Sequence, residues 1–168
     1  ISVLGTGTAT YGAEVAFAAN SIRPQIANCT NTEFLVVYID SATNDIKGVP
    51  ITVSGTTITV GSITTLISAI ATNLGGFVRF DTSDNYCLTY LEITSGDWKA
   101  VNIAYTSGGT PSAGTPIVVN AGGTTGTKQI DYLDTTRVAL CANKKGLVIT
   151  RSGTTLSAGA QTTISTVN

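Results

Sequence analysis

Histidine and methionine are both missing from this 168-residue chain. Without histidine it lacks the side chain that most often acts as a general base near neutral pH and most often ligates transition metals. Serine and threonine are plentiful, but no lysine stands in a Ser-x-x-Lys context to activate one of them. The glycine pairs Gly108-Gly109 and Gly122-Gly123 lack the lysine and the strand–loop–helix setting of a phosphate loop, and read as turns. These absences point away from an enzyme and call for no cofactor and no metal. Without methionine, Ile1 is not a translation start, so the chain is expected to be processed or to be the ordered part of something longer.

Charge is also scarce, at 11% of residues against about 25% in an average globular domain. The nine lysines and arginines are scattered, and the densest basic pair is Lys144-Lys145. Displacing counterions from a nucleic acid needs a basic cluster, so no nucleic-acid partner is expected. No apolar run approaches the roughly 20 residues that span a bilayer, and no basic segment followed by an apolar run marks a signal peptide. Cys29, Cys87 and Cys141 lie far apart with no Cys-x-x-Cys spacing, which excludes the usual zinc and redox motifs. They read as buried free thiols, with a single disulfide and the compartment left open.

What the chain has instead is Thr, Ser, Gly, Asn and Ala in quantity, a composition suited to strands, tight turns and uncharged surfaces. A turn signature recurs: Ser54-Gly55-Thr56-Thr57, Ser107-Gly108-Gly109-Thr110 and Ser152-Gly153-Thr154-Thr155, with a degenerate copy at Leu4-Gly5-Thr6-Gly7. Gly55, Gly108 and Gly153 are read as structural turn glycines, because tight hairpins require positive φ. A second glycine follows each turn, at Gly12, Gly61, Gly114 and Gly159, at intervals of 49, 53 and 45 residues. A glycine inside a strand marks a bulge or a close backbone approach, so Gly61, Gly114 and Gly159 are also read as structural.

Ahead of each hairpin stand two further strands, repeating at an offset of 52. Phe34, Tyr86 and Val138 form one matched series, and Tyr38, Tyr90 and Ala142 another. The chain therefore divides into a half unit at 1–20 and three units at 21–73, 74–122 and 123–168, each of four short strands. The one stretch with a helical pattern is Ile63 to Leu74, where Ile63, Leu66, Ile67 and Ile70 are apolar, but its Thr and Ile content argues against a stable helix. The fold class expected is all-β: antiparallel four-stranded meander repeats, β-propeller-like, with a β-sandwich or jelly roll as the alternative.

The run Leu35–Asp40 followed by Gly48–Gly61 (GVPITVSGTTITVG), with Gly114–Asn120 in the next unit, resembles the repeats of large uncharacterised phage and viral proteins. In those the unit reads approximately vvvaY-D, a loop, then vsGTsitfGtpvvf. The last unit departs from the pattern at Ala142-Asn143-Lys144-Lys145. The resemblance implies a virion-associated structural protein, such as a tail-fibre, appendage or capsid-surface component. It places the chain in the virion, with secretion or the cell surface as the alternative. Expected partners are further copies of the chain or other virion proteins. The half unit leaves an unfinished edge, and exposed edges are normally covered.

Several polar residues could carry chemistry. Asp81 with Asp84 and Asp131 with Asp134 have the spacing of paired acids or calcium ligands, but turn carboxylates commonly cap backbone N–H groups. Asp40, Asn44 and Asp45 form a polar loop, with Glu92 and Asp97 at matched places. Trp98, the single tryptophan, could stack on a sugar if exposed or fill an interface if buried. Trp98, Tyr90 and Asp97 are accordingly the candidate ligand-binding residues of an alternative, lectin-like reading in which the partner is a cell-surface glycan.

Overall fold

A computed structural model describes residues 12–68, 71–80, 84–120, 128–142 and 145–163. Among these the chain is all-β, with no helix and no sheet closed into a barrel. The degenerate turn at Leu4–Gly7, Asp81, Gly122-Gly123 and the Asn143-Lys144 step lie outside the described residues.

Three antiparallel sheets follow one another along the chain. The first contains β1 (Ser21–Asn28), β2 (Glu33–Asp40), β3 (Asp45–Ser54), β4 (Thr57–Val60) and β5 (Thr64–Ile67). The second contains β6 (Ala71–Arg79), β7 (Asn85–Glu92), β8 (Trp98–Ala104), β9 (Ser112–Ala113) and β10 (Ile117–Asn120). The third contains β11 (Lys128–Asp134), β12 (Arg137–Ala142), β13 (Lys145–Ser152), β14 (Thr155–Ala158) and β15 (Thr162–Thr163). In each, the first three strands form a meander, and both short strands that follow pair with the third. The described part of Ile63 to Leu74 holds β5 and the start of β6 and no helix.

The fourth strand expected in each unit is broken in two, and the break falls at the recurrent second glycine. The N–H groups of Gly61, Gly114 and Gly159 donate to the carbonyls of Pro50, Asn102 and Val148, each over 2.8 Å. That shared bond turns the chain back across the third strand. The turn glycines sit just before it. Gly55 and Gly153 have φ +60° and lead two-residue loops closed by the pairs Ser54–Thr57 and Ser152–Thr155. Positive φ at the first loop residue alone is the type II′ geometry that matches strand twist. Gly108, at φ +73°, turns a longer loop between β8 and β9.

The sheets stack face to face in chain order, and strand alternation decides which side chain goes where. Leu35, Val37 and Ile39 of β2 project forward into a core shared with Tyr86, Leu88 and Tyr90 of β7 and with Val101 and Ile103 of β8. The opposite faces of β7 and β8 send Cys87, Trp98 and Ala100 forward against Val138 and Leu140 of β12 and Leu147 and Ile149 of β13. Behind the first sheet, Val36, Tyr38 and Val49 are covered by Phe17 and Ala18 of the N-terminal segment, with Phe17 edge-on to Tyr38 at 5.4 Å between centroids. Because the first two sheets are covered on both sides, β2 and β7 read as nearly unbroken apolar runs. Among the described residues, β12 is packed on one side, against the second sheet. It alternates: Val138 and Leu140 are buried, while Ala139 is half-buried and Cys141 exposed.

Backbone and side chain come very close between the first strands, where β6 lies between β1 and β11. A Cβ on Gly76 would stand 2.4 Å from Cγ2 of Ile130, a distance that no packing tolerates. Gly76→Ala is therefore expected to destabilise the protein by about 1–3 kcal/mol, the usual cost of overpacking. Chemical denaturation of a double-mutant cycle with Ile130→Ala checks this. The paired variant should lose less than the sum of the two single losses, because Ile130→Ala removes the offending methyl.

Candidate functional site

Three places could carry function: the seams between sheets, a groove along the first strands, and the face of the third sheet on which Cys141 and Val148 are exposed. The first seam is held by Glu33, a carboxylate only 8% exposed at the start of β2. It accepts hydrogen bonds from the hydroxyls of Tyr105 and Ser107 and, over 3.0 Å, from the N–H of Gly108. One acid of the first sheet thus binds the turn of the second. Burial pushes its pKa up, but the three donors outweigh burial and hold it below the ordinary value of 4.5. Nearby, the Tyr86 hydroxyl donates to the Asn28 carbonyl over 3.3 Å, and Arg79 donates to the Cys29 carbonyl while lying 5.8 Å above the Tyr86 ring. The second seam is tied by Gln161, whose Nε2 donates to the Val119 carbonyl over 2.8 Å, and by Arg151 stacked 5.3 Å above Phe80.

The second glycines serve the seams too. A Cβ on Gly12 would meet the Thr56 carbonyl oxygen at 2.3 Å, and one on Gly114 would meet that of Thr154 at 2.9 Å. In both cases a glycine forms a ledge on which the hairpin turn of the following sheet rests. Gly61 lines a cleft of about 310 Å³ with Gly108, Gly109 and Pro111 of the second sheet, the equivalent neighbourhood one step along.

The groove runs beside β1, β6 and β11. It has a volume of about 530 Å³ and is walled by Ile26, Asn28, Phe77, Arg79 and Tyr132. A second hollow of about 450 Å³ shares Phe77 and adds Arg23, Gln25, Asn73 and Gln129. Ile26 is 60% exposed there, whereas its counterpart Phe77 is 9% exposed, because only Phe77 has a complete first strand behind it. Arg79 is committed to the Cys29 carbonyl and stands 3.7 Å from Asp84, so it belongs to the wall of the groove.

The residues singled out from sequence do not come together. Trp98 and Tyr90 are both fully buried and lie on opposite faces of the second sheet, in separate cores. Neither ring offers a face to a sugar; each fills an interface. Burial, with a smaller contribution from the Glu92 carboxylate, pushes the Tyr90 hydroxyl up to about 12. Asp97 is half-buried in the 93–97 turn, where its N–H donates to the Ser95 hydroxyl over 3.1 Å and its carbonyl accepts from Glu92. The carboxylates of the polar loops hold turns and lysines. Asp40 accepts from Ala42 and pairs with Lys47 at 2.5 Å; Glu92 pairs with Lys99 at 2.6 Å in the matched place. Asp134 is held at about 2 by the Arg137 guanidinium and by the N–H of Thr136. Cys87 is buried and its thiol is pushed well up by burial, whereas Cys141 is exposed; all three cysteines are free thiols. Sequence reasoning missed Glu33 and Gly76, whose partners lie 50 or more residues away.

Glu33 makes a pH prediction. A carboxylate with a lowered folded pKa stabilises the fold fully above its unfolded value, and that contribution fades as pH falls through the folded value. Thermal melts of wild type and Glu33→Gln should differ most at neutral pH, by about 1–3 kcal/mol for charge-assisted bonds. The two should converge below pH 4.5. A gap that persists unchanged at low pH would contradict the ionised lock. No family model, curated protein or solved structure matches the chain.

Proposed function

We propose that this chain is a non-enzymatic structural protein of a virus particle, in the class of tail-fibre, appendage or capsid-surface components, and that it self-associates. The observation that carries the reading is directional stacking. The forward faces of the first and second sheets fit the backs of the sheets that follow, and on the matching face of the third Cys141 and Val148 are exposed. A chain built this way is a spacer or wall element, since its interior is wholly taken up by packing between repeats. The resemblance of Gly48–Gly61 and Gly114–Asn120 to repeats of phage and viral proteins supports the virion as its setting.

The polar residues support the same reading. Asp40, Glu92 and Asp134 serve their own hairpins, and Glu33 serves the seam between two sheets. Such carboxylates hold a scaffold together, and they accept from backbone N–H groups, neighbouring hydroxyls and neighbouring cations. Low charge fits a surface that meets other protein surfaces, because few ions need to be desolvated on contact.

Mass spectrometry of virus particles from the source of this chain tests the proposal. Peptides of the chain should persist at a constant ratio to the major particle proteins through density-gradient purification and a high-salt wash. Particles from which those peptides are missing would refute it.

A further inference from the structure

We propose that the groove across β1, β6 and β11 binds an oligosaccharide that carries a carboxylate. The inference goes beyond the structural role and does not depend on it. The groove is built by the repeat itself, because matched residues of the three first strands fall into rows. Gln25, Gly76 and Gln129, which pair with Val37, Thr89 and Cys141, form one row. Ile26, Phe77 and Ile130 form the next, and Asn28, Arg79 and Tyr132 the third. The rows line two hollows of about 450 and 530 Å³ that share Phe77. Both volumes lie in the range of ligand sites, about 300–1,000 Å³.

The first strands are irregular where they line the groove. β1 slips register between Ile22 and Gln25, β6 slips twice between Ala71 and Gly76, and β11 slips after Tyr132. The second and third strands of every sheet pair without a slip. Bulges re-aim side chains and spoil an edge for further strand pairing. Pro24, inside the first slip, has no N–H to offer an added peptide strand. Beside it Arg23 is held at φ +53°, a left-handed conformation that strains any residue with a Cβ. Such a wall suits a polar ligand bound by side chains, not a strand bound by backbone.

The side chains narrow the ligand further. The amides of Gln25, Asn73 and Gln129 each offer donors and an acceptor, which suits hydroxyl groups that do both. Ile26 is 60% exposed and Tyr132 42% exposed, so apolar surface stands open for the C–H face of a sugar ring. The residues lining the two hollows include two guanidinium groups and no carboxylate. Arg79 is engaged by the Cys29 carbonyl and Asp84, whereas no described residue engages Arg23. One guanidinium fork fits one carboxylate, and a polyanion such as nucleic acid would need a denser cluster. Two joined hollows suit a chain of sugar units better than a single small molecule.

A printed array of oligogalacturonates and sialyllactose, with maltotriose and lactose as neutral counterparts, tests this on the intact chain. Wild type should bind the carboxylate-bearing probes and pass over the neutral ones. Arg23→Gly should weaken that binding about tenfold or more, the loss expected when a charge-assisted pair is broken. It should melt no lower than wild type, because glycine accepts the left-handed backbone without strain. Tyr132→Ala should weaken binding too, with a thermal melt showing that the variant is folded. An array on which no carboxylate-bearing probe is bound overturns the proposal. So does binding that the neutral probes match, or that both variants leave unchanged. Any of these results leaves the virion assignment standing, and particles lacking the chain would sink that assignment without touching the groove.

Discussion

A sheet with two apolar faces has no stable existence alone, and this constraint shapes most of the molecule. Water must be kept from both sides of β2 and both sides of β7, so each of these sheets needs a neighbour in front and another behind. The second sheet is covered by its two siblings. The first is covered in front by the second sheet and behind by Phe17 and Ala18 of the leading segment. On the third sheet the matching face leaves Cys141 and Val148 open to solvent, and its residues there are smaller than on the inner sheets: Ala139, Cys141, Gly146 and Val148. Burying a large side chain such as Leu35 or Leu88 is worth about 1.5–3 kcal/mol, so the inner faces hold most of the stabilising energy.

Stacked sheets also have to come close enough to exclude water, and glycine sets how close. Gly76 lets the Ile130 side chain reach the second sheet, and Gly12 and Gly114 let a hairpin turn rest against backbone. Charges are few and are placed where they do specific work. Glu33 and Arg79 hold the first seam, and Arg151 stacks across the second, while the pairs Asp40–Lys47 and Glu92–Lys99 close the hairpins at the stack's margin. The marginal pairs are half-open to solvent and screened by it, so the seams matter more to stability than the hairpin pairs do.

Much of this could be read from the residues alone. The type II′ turn at Gly55 and Gly153 is a local event, fixed by two residues and their immediate neighbours, and sequence shows it directly. The 52-residue offset likewise brings Leu35, Cys87 and Ala139 into register because meander pairing is local along the chain. What stayed hidden depends on partners distant in sequence. Nothing around Glu33 announces that Tyr105 and Ser107 will bind it, since they stand more than 70 residues away. The burial of Trp98 was one of two readings until the third sheet was seen against it. The fifth strand was missed because the Gly61 N–H could have continued β4; its bond to Pro50 is what ends the strand.

The seams are what make the sheets stable, and Trp98 offers a direct probe of them. It is the single tryptophan, and it lies fully buried between the second and third sheets. Equilibrium unfolding in guanidinium chloride, followed by Trp98 fluorescence and by far-ultraviolet circular dichroism, reports that seam and the total strand content separately. Sheets that depend on one another should lose both signals together, in one transition with a shared midpoint. A fluorescence change completed well before the strand signal falls would mean that the sheets persist without their seam, and would contradict the account.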